Sequence, residues 1–197
     1  MIKSVSLIGR VREDYLLQMR DVYVPKFANG EYNFIFPGAC SLFGGTIDNN
    51  ETAEHAFKRE LDEELPGLTI RRILEHRVYD WGKQLDEVLG RLNDTFHGNV
   101  DSFLGFDLNS YVPGCAMGEA RSKPLTYREW IYLVTDDNFY VCNIESDQLI
   151  GQQIKEGSAY ATIPYFIAKS LVIVPTDKLA LLDDIARRIG SGEIELK

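Results

Sequence analysis

Hydrophobic and polar residues along the chain change their period several times, and each change indicates a new element. Short apolar runs at residues 3–9 and 14–19 lie on either side of a charged break, which predicts a β-hairpin. Residues 32–47 mix aromatic and small side chains with proline and glycine, which predicts short strands joined by tight turns. We therefore expect β structure up to about this point in the chain.

A helical pattern begins after Asn50. Apolar residues recur every four positions from Phe57 to Leu65, and either Asn50 or Thr52 can cap the first free backbone amides. Pro66 disfavours helical backbone at the residue before it. The pattern predicts a helix that ends at Leu65.

The second half of the chain is less regular. Residues 68–81 predict a strand and residues 83–92 a short helix. Residues 93–124 are rich in glycine and proline and show little periodicity, so we expect a long loop or irregular insertion there. Residues 127–135 and 139–143 predict a second pair of strands.

The last periodic segment, residues 176–189, predicts a capped amphipathic helix with Thr176 as its N-cap and Gly190 as its stop. No internal repeat or low-complexity linker interrupts the chain. We expect residues 1–197 to form a single domain of mixed α/β type, with the irregular insertion around residues 93–124.

Composition and net charge limit the kinds of partner that we expect for this protein. A chain of 197 residues with 45% hydrophobic side chains can bury a substantial core. The net charge of −9 disfavours binding to a nucleic-acid backbone or an anionic membrane, and favours a cation or a substrate carried by one. We expect no nucleic-acid partner and no membrane association.

Cysteine usage and the apolar runs suggest the compartment. Cys40, Cys115 and Cys142 are too few and too scattered for a disulfide framework or a zinc site. No window approaches the length of a membrane span, and the apolar run near Met1 is too short for the core of a signal peptide. We expect a cytoplasmic protein.

Acidic side chains accumulate at the end of the first predicted helix. At about 100° per residue, Glu63 and Glu64 lie roughly 60° to one side and 40° to the other of Glu60. Negative charge there is unfavourable, both from mutual repulsion and from the helix dipole. Either Lys58 and Arg59 balance a solvated acidic face, or the carboxylates hold an oxygen-preferring divalent cation, Mg²⁺ or Mn²⁺.

Spacing upstream of these acids favours the cation. In order, the segment contains Gly45, five residues, Glu51, seven residues, and then Arg59, Glu60, Leu61, Asp62, Glu63 and Glu64. This pattern resembles the Nudix box of the Nudix hydrolases, G-x5-E-x7-R-E-U-x-E-E-x-G-U, with U an aliphatic residue. Pro66 stands where the box has its second glycine, so we interpret Gly67 and Leu68 as the end of the box after a one-residue insertion.

The resemblance implies an α/β/α sandwich with a mixed sheet, and a Mg²⁺-dependent or Mn²⁺-dependent hydrolase that cleaves the pyrophosphate linkage of a nucleoside diphosphate linked to another moiety. It implies roles for six residues: Glu60 and Glu64 as principal metal ligands, Glu63 as a further ligand or the base, Gly45 as a carbonyl ligand, Arg59 as the group that holds a carboxylate, and Glu51 as a supporting partner. The partner would be a small nucleotide-type diphosphate, and the substrate-binding residues stay unassigned.

The general base is left open by the spacing. Some family members recruit a glutamate from a distant loop, and Glu156 and Glu119 are candidates beside Glu63. The histidines His55, His76 and His97 have no metal-ligand spacing and are expected to be structural or exposed. Three aromatic residues are expected in the core, with stacking on a substrate as the alternative: Trp81, Tyr111 and Trp130.

Two other functions stay open. The chain could be a Nudix-fold module that binds a nucleotide without turnover, although the complete set of acids favours catalysis. It could also be an isoprenoid-diphosphate isomerase that uses Cys40, although the histidine ligands of such an isomerase are not found. A homodimer is common in the family, but nothing in the sequence requires one.

Overall fold

Seven strands and six α-helices follow one another in the part of the chain that the computed structural model describes, which is residues 2–20, 36, 38–98, 100–112, 125–155, 157 and 159–196. They are, in order, β1 (Ile2–Val11), β2 (Asp14–Met19), β3 (Cys40–Ser41), β4 (Phe43–Thr46), α1 (Ala53–Glu64), β5 (Ile73–Tyr79), α2 (Trp81–Phe96), α3 (Val100–Leu104), α4 (Tyr127–Ile131), β6 (Val134–Asn143), β7 (Ala159–Pro164), α5 (Tyr165–Ala168) and α6 (Pro175–Gly190). A 3₁₀ turn, Ser146–Leu149, follows β6.

All seven strands belong to one mixed sheet, organised around β1. β1 runs parallel to β6 along one side. On its other side it pairs antiparallel with β4 and then with β2. β5 extends the sheet beyond β6, while β3 and β7 pair with β2. Because β1 and β6 lie inside the sheet, their apolar side chains, such as Val5 and Phe139, are fully buried.

Helices cover both faces of this sheet. On one face, Phe57 and Leu61 of α1 pack with Val5 of β1 in one apolar cluster. On the other face, α2 and α6 pack in a larger cluster that includes Ile8 and Phe139. Successive strand residues point to opposite faces, which is how β1 contributes to both clusters. The prediction of an α/β/α arrangement with a mixed sheet is confirmed.

The prediction of two strands at residues 127–135 and 139–143 is wrong. Residues 127–131 form helix α4, and residues 134–143 form a single long strand in place of two. Thr126 and Glu129 make a capping box at the start of α4, a helix signal that the aromatic run obscured. The polar residues 135–138, predicted to separate two strands, lie inside β6.

Elements around α2 differ in length from the prediction. β5 begins at Ile73, five residues after the predicted start at 68, and α2 covers Trp81–Phe96 where residues 83–92 were predicted. The predicted insertion therefore includes the last turn of α2 and the short helix α3. The rest of the insertion, residues 113–124, lies outside the described residues. So do residues 32–35 and 37, which belong to the strands predicted near Gly38.

The predicted last helix is present as α6, but it is buried on almost every side instead of on one face, and its predicted N-cap is wrong. Its N-cap is Val174, with Pro175 at the first helical position, and Thr176 lies inside the helix. Lys178, Asp183 and Asp184 are all fully buried within it. Within the described residues, neither α6 nor any other helix is long and apolar enough to cross a membrane.

Ionic contacts compensate the buried charges of α6. Asp184 accepts hydrogen bonds from Arg10 at 2.7 and 2.9 Å and from the Tyr15 hydroxyl at 2.7 Å, and it pairs with Arg77 at 2.8 Å. Burial alone would raise the pKa of Asp184, but the bond from Arg10 and the charges of Arg77 and Arg10 hold it below the usual range. This carboxylate thus ties α6 to β1, β2 and β5.

Replacing Asp184 should destabilise the fold strongly. We expect Asp184→Asn to lower the free energy of unfolding by about 3 kcal/mol, because it leaves buried guanidinium groups without their counter-charge. Urea unfolding followed by circular dichroism measures the change. Glu87→Gln is the matched control, because Glu87 pairs with Arg91 at the surface and should change stability by less than about 0.5 kcal/mol. Equal effects of the two substitutions would contradict this account.

Candidate active site

Helix α1 carries the acidic residues and is fixed at both ends. Its N-cap is Thr52, whose hydroxyl accepts the His55 backbone N–H at 3.2 Å. Its buried face is anchored by Phe57 and Leu61. The Leu65 N–H bonds to the Leu61 carbonyl at 2.8 Å where the helix ends. The last turn of α1 is therefore held firmly against the sheet.

The three glutamates of this turn differ in their surroundings. The whole of Glu64 is only 4% exposed, whereas the side chain of Glu60 is 13% exposed and that of Glu63 is 54% exposed. The structure thus spreads the three carboxylates from the edge of the core to solvent. Helical periodicity predicts that the three glutamates share one face of α1, but it does not predict how deeply each of them is buried.

Two of the carboxylates lie against the glycine pair of β4. The backbone N–H of Gly44 donates to Glu64 Oε2 at 2.6 Å, and Gln18 Nε2 donates to Glu64 Oε1 at 3.0 Å. The Glu60 carboxylate occupies the space beside Gly45, since a Cβ on Gly45 would lie 2.4–2.6 Å from the Glu60 carboxylate atoms. The glycine pair is therefore the surface on which the two glutamates converge.

Arg59 connects the acids of the motif to one another. Its guanidinium donates to both Glu51 oxygens, at 2.9 and 3.1 Å, and to Glu60 Oε1 at 2.7 Å. It also lies 3.5 Å from Glu63 Oε2 and donates to the Thr46 carbonyl at 3.0 Å. The hydrogen bonds to Glu51 and Glu60 raise the pKa of Arg59, and the bond from Arg59 lowers the pKa of Glu51.

Carboxylate oxygens at the end of α1 are the donor type that Mg²⁺ and Mn²⁺ prefer. Glu60 and Glu64 fit such a cation, because both supply carboxylate oxygens and the two side chains lie against adjacent glycines. The described residues contain no group of three or more His, Cys, Asp or Glu side chains arranged to hold a metal ion. Glu63, Glu60 and Glu64 as a three-carboxylate set, with Gly45 as a fourth ligand, therefore stay a prediction.

A cavity of about 710 Å³ opens beside the glycine pair. Its walls come from β1, β4, β6, α4 and the first turn of α6. Its lining includes Gly44, Gly45, Trp130, Asp137 and Asp177. The acidic end of α1 and this cavity thus share the same glycine backbone.

Two buried carboxyl groups that the sequence pattern does not single out line the cavity. Asp137 accepts from Ser4 Oγ at 2.6 Å and from Trp81 Nε1 at 2.7 Å, while Asp177 accepts the Leu42 N–H at 2.9 Å. Burial raises the pKa of Asp137 to about 6. Burial, with a smaller effect of the Asp137 charge, raises the pKa of Asp177 to about 7.

The signal for these two acids was weak in the sequence. Asp137 lies in a polar run that is typical of a turn, and Asp177 lies in the first turn of a helix, where an acid is ordinary. For Trp130 the sequence predicts a place in the core, with stacking on a substrate as the alternative. The structure buries it and also places it on the cavity wall.

Other sequence candidates lie elsewhere. Glu156, Glu119 and Cys115 lie outside the described residues. The backbone N–H of Lys155 donates to the Glu64 carbonyl at 3.2 Å, which attaches the segment just before residue 156 to the end of α1. Cys40 lies on β3, and burial raises the pKa of its thiol.

The remaining candidates have structural contacts. His76 stacks on Tyr140 at 4.3 Å between ring centroids, and His97 ends α2 in the left-handed conformation. Trp81 is fully buried, and its indole N–H bonds to Asp137. Tyr111 is 59% exposed, so the expectation that it lies in the core is wrong.

Comparison with known proteins gives a likeness in structure only. No protein-family model matches the sequence, and no curated protein matches it. Among solved structures, a MutT/Nudix family protein from Listeria innocua is 18% identical, with 97% of this chain and 94% of that chain covered and a TM-score of 0.49. A MutT protein from Methanosarcina mazei is 12% identical, with 95% and 94% covered and a TM-score of 0.47. A C. elegans Ap4A hydrolase is 13% identical, with 97% and 99% covered and a TM-score of 0.46.

Alanine at the two glycines should have different effects. A Cβ on Gly44, whose φ is +145°, would lie 2.0 Å from the Val5 carbonyl oxygen, whereas a Cβ on Gly45 would meet the end of the flexible Glu60 side chain. We expect Gly44→Ala to lower the free energy of unfolding by about 2 kcal/mol or more. Gly45→Ala should cost clearly less, because the Glu60 side chain can move.

Urea unfolding of both variants measures this difference. Gly67→Ala is a control for backbone conformation, because Gly67 also has a positive φ, 90°, but a Cβ there would meet nothing within 4 Å. A Gly44→Ala variant no less stable than Gly67→Ala would show that the contact between β4 and β1 is not as close as the structure indicates.

Proposed function

We propose that this chain is a Nudix-type hydrolase that uses Mg²⁺ or Mn²⁺ to cleave the pyrophosphate linkage of a nucleoside diphosphate linked to another moiety. The observation that carries the proposal is the convergence of Glu60 and Glu64 on the Gly44–Gly45 backbone. Its residues are those of the motif, at the motif's spacing. We further propose that the protein is cytoplasmic and that its substrate is a small nucleotide-type diphosphate.

Each motif residue has a role in this proposal that follows from its contacts. Glu60 and Glu64 would hold the cation, because both carboxylates lie against the backbone of Gly44 and Gly45. A divalent cation there supplies neutralisation of the diphosphate charge and a lower pKa for a water molecule. Arg59 keeps Glu60 in place, and Glu51 in turn fixes Arg59 through two hydrogen bonds.

The reaction is a displacement at phosphorus. A water oxygen forms a bond to one phosphorus atom of the diphosphate, and the bridging P–O bond breaks on the opposite side. The water proton passes to a carboxylate, and the products are two phosphate monoesters or a monoester and a shorter phosphate. Glu63 is the most exposed glutamate of the turn and can accept that proton from solvent-accessible water. Glu156 stays a second candidate for the base.

Charge at the end of α1 also supports the proposal. The Arg59 guanidinium faces three carboxylates, those of Glu51, Glu60 and Glu63. The helix dipole places its negative end at the same turn, which favours a cation there. The same contacts place Arg59 where it can hold Glu60 as the cation binds.

Neutralising either converging glutamate should slow hydrolysis strongly. We expect Glu60→Gln and Glu64→Gln to lower kcat by about 10² or more, because each removes a charge that supports the transition state. The assay measures products from ADP-ribose, NADH, dinucleoside polyphosphates, nucleoside triphosphates and nucleotide sugars, with Mg²⁺, with Mn²⁺ and with EDTA.

Asp62→Asn is the matched control for this assay. Asp62 lies on the same helical turn and is exposed, so the same loss of charge should leave the rate at the wild-type level. If no diphosphate is cleaved with either cation, or if Glu64→Gln is as active as Asp62→Asn, the hydrolase proposal is wrong. Tight nucleotide binding without any product would indicate instead the non-catalytic binding module.

Arg59 should control the affinity for the cation. We expect Arg59→Lys to raise the Mg²⁺ concentration for half-maximal activity about tenfold, because an ammonium group cannot make the two parallel bonds to Glu51 while holding Glu60. Titration of Mn²⁺ followed by electron paramagnetic resonance measures the same affinity without turnover. Lys58→Gln is the control, since the partner of Lys58 among the described residues is the exposed Glu54. An unchanged cation affinity in Arg59→Lys would exclude the positioning role.

A further inference from the structure

A buried glutamine lies beside the candidate metal ligands. Gln18 is on β2 and is only 6% exposed. Strand residues alternate between the two faces of a sheet, so Gln18 shares its face with Leu16, which packs in the apolar cluster of α1. An apolar side chain would suit that position, because a buried amide costs free energy unless it is hydrogen-bonded. The presence of a glutamine there therefore calls for an explanation.

Both amide hydrogens of Gln18 have acceptors. Its Nε2 donates to Glu64 Oε1 at 3.0 Å and to the Leu42 carbonyl oxygen at 3.2 Å. The reverse orientation of the amide would place its oxygen against an ionised carboxylate and a carbonyl, neither of which can donate. The side chain is thus a donor of fixed direction, and it joins β2 to the end of α1 and to the residue that precedes β4.

Glu64 receives a hydrogen bond on each of its two oxygens. The Gly44 N–H donates to Oε2 at 2.6 Å, and Gln18 donates to Oε1. Bonds to both oxygens fix the plane of the carboxylate as well as its position. Both of these donors are neutral, so they orient Glu64 without bringing a positive charge to it. Arg59, in contrast, brings a positive charge to Glu60.

The backbone near residue 157 encloses Gln18 from another side. A Cβ on Gly157 would lie 2.9 Å from Gln18 Oε1 and 2.9 Å from the Met19 carbonyl oxygen. The same segment is attached to α1, since the Lys155 N–H donates to the Glu64 carbonyl at 3.2 Å. Gln18 therefore lies between β2, the end of α1 and this segment, which restricts movement of its amide away from Glu64.

We propose that Gln18 is a positioning residue for the divalent cation, because it orients the Glu64 carboxylate that would bind the cation together with Glu60. The inference rests on the proposed function, but only on its cation site. Gln18 lies 46 residues before Glu64 and outside the motif, so no motif spacing points to it. Side chains that hydrogen-bond a metal ligand commonly change the affinity for the metal by about 10- to 100-fold.

Binding of Mn²⁺ tests the role of Gln18 without hydrolysis. Electron paramagnetic resonance follows free Mn²⁺ during a titration of the full chain, and the relevant site is the one that Glu64→Gln weakens. We expect Gln18→Met to weaken binding at that site about tenfold, because methionine has a similar length but cannot donate to Glu64. Gln18→Asn should give a similar loss, since its amide is one methylene too short to reach Glu64.

Activity gives a second readout. If Gln18 acts through the cation, hydrolysis by Gln18→Met should be slow at limiting Mg²⁺ and should approach the wild-type kcat at saturating Mg²⁺. A purely structural role would instead lower the free energy of unfolding and leave the Mn²⁺ affinity of the folded protein unchanged.

Gln152→Met is the matched control. Gln152 Nε2 also donates two hydrogen bonds, to the carbonyl oxygens of Pro66 and Gln153 at 3.0 and 2.9 Å, and Pro66 follows the end of α1. The same substitution there removes two amide hydrogen bonds without touching a carboxylate, so Mn²⁺ affinity should stay at the wild-type level. Urea unfolding of each variant separates loss of the fold from loss of the site.

Two results would overturn the inference. One is an Mn²⁺ affinity in Gln18→Met and Gln18→Asn equal to that of the wild type, or a loss in Gln152→Met as large as in Gln18→Met. The other is a wild-type protein without any Mn²⁺ site that Glu64→Gln weakens.

Failure of the inference and failure of the hydrolase proposal give different results. If Gln18→Met weakens Mn²⁺ binding and Gln152→Met does not, but no diphosphate is cleaved, the positioning role stands and the hydrolase proposal fails. If diphosphates are cleaved with Mg²⁺, but Gln18→Met binds Mn²⁺ as tightly as the wild type does, the hydrolase stands and the positioning role fails.

Discussion

The close approach of helix α1 to the glycine pair of β4 is the contact on which the site depends. Gly44 gives a backbone N–H to Glu64, and Gly45 leaves the space that the Glu60 carboxylate fills. A side chain at Gly44 would collide with the backbone of β1, and one at Gly45 with the acid itself. The two glycines therefore allow a strand, a helix end and a cavity to meet at one point.

Charged side chains are arranged differently in two parts of the molecule. At one end, Arg59 faces Glu51, Glu60 and Glu63, and buried carboxyl groups line a cavity. At the other end, Asp183 and Asp184 of α6 are buried and paired with arginines from β1, β5 and α2. The paired charges fix the last helix on the sheet, and so keep its first turn, with Asp177, on the cavity wall.

Much of this arrangement could be predicted from residue patterns. The first hairpin and helix α1 follow from periodicity, while the sandwich class follows from the resemblance to the Nudix family. The spacing from Gly45 to Glu64 identifies the acids as candidates without any knowledge of the geometry. Local patterns failed where tertiary burial decides the outcome. The run at 127–135 has the aromatic content of a strand, yet its capping box starts a helix.

Buried charge explains the other differences. Acids at Asp137, Asp177 and Asp184 look like surface residues in a sequence, because only their partners from distant segments show that they are buried. The different depths of Glu60, Glu63 and Glu64 likewise depend on contacts with β2 and β4, which helical periodicity does not include. Sequence spacing located the acidic turn, but only the fold located the cavity beside it.

Anomalous diffraction from crystals soaked in Mn²⁺ with a nucleoside diphosphate tests the central claim most directly. The account predicts a manganese peak in contact with the Glu60 and Glu64 carboxylates, beside Gly44 and Gly45, with the diphosphate bound to it. A fully occupied diphosphate elsewhere on the protein, with no manganese at this turn and Glu60 still held by Arg59, would contradict it.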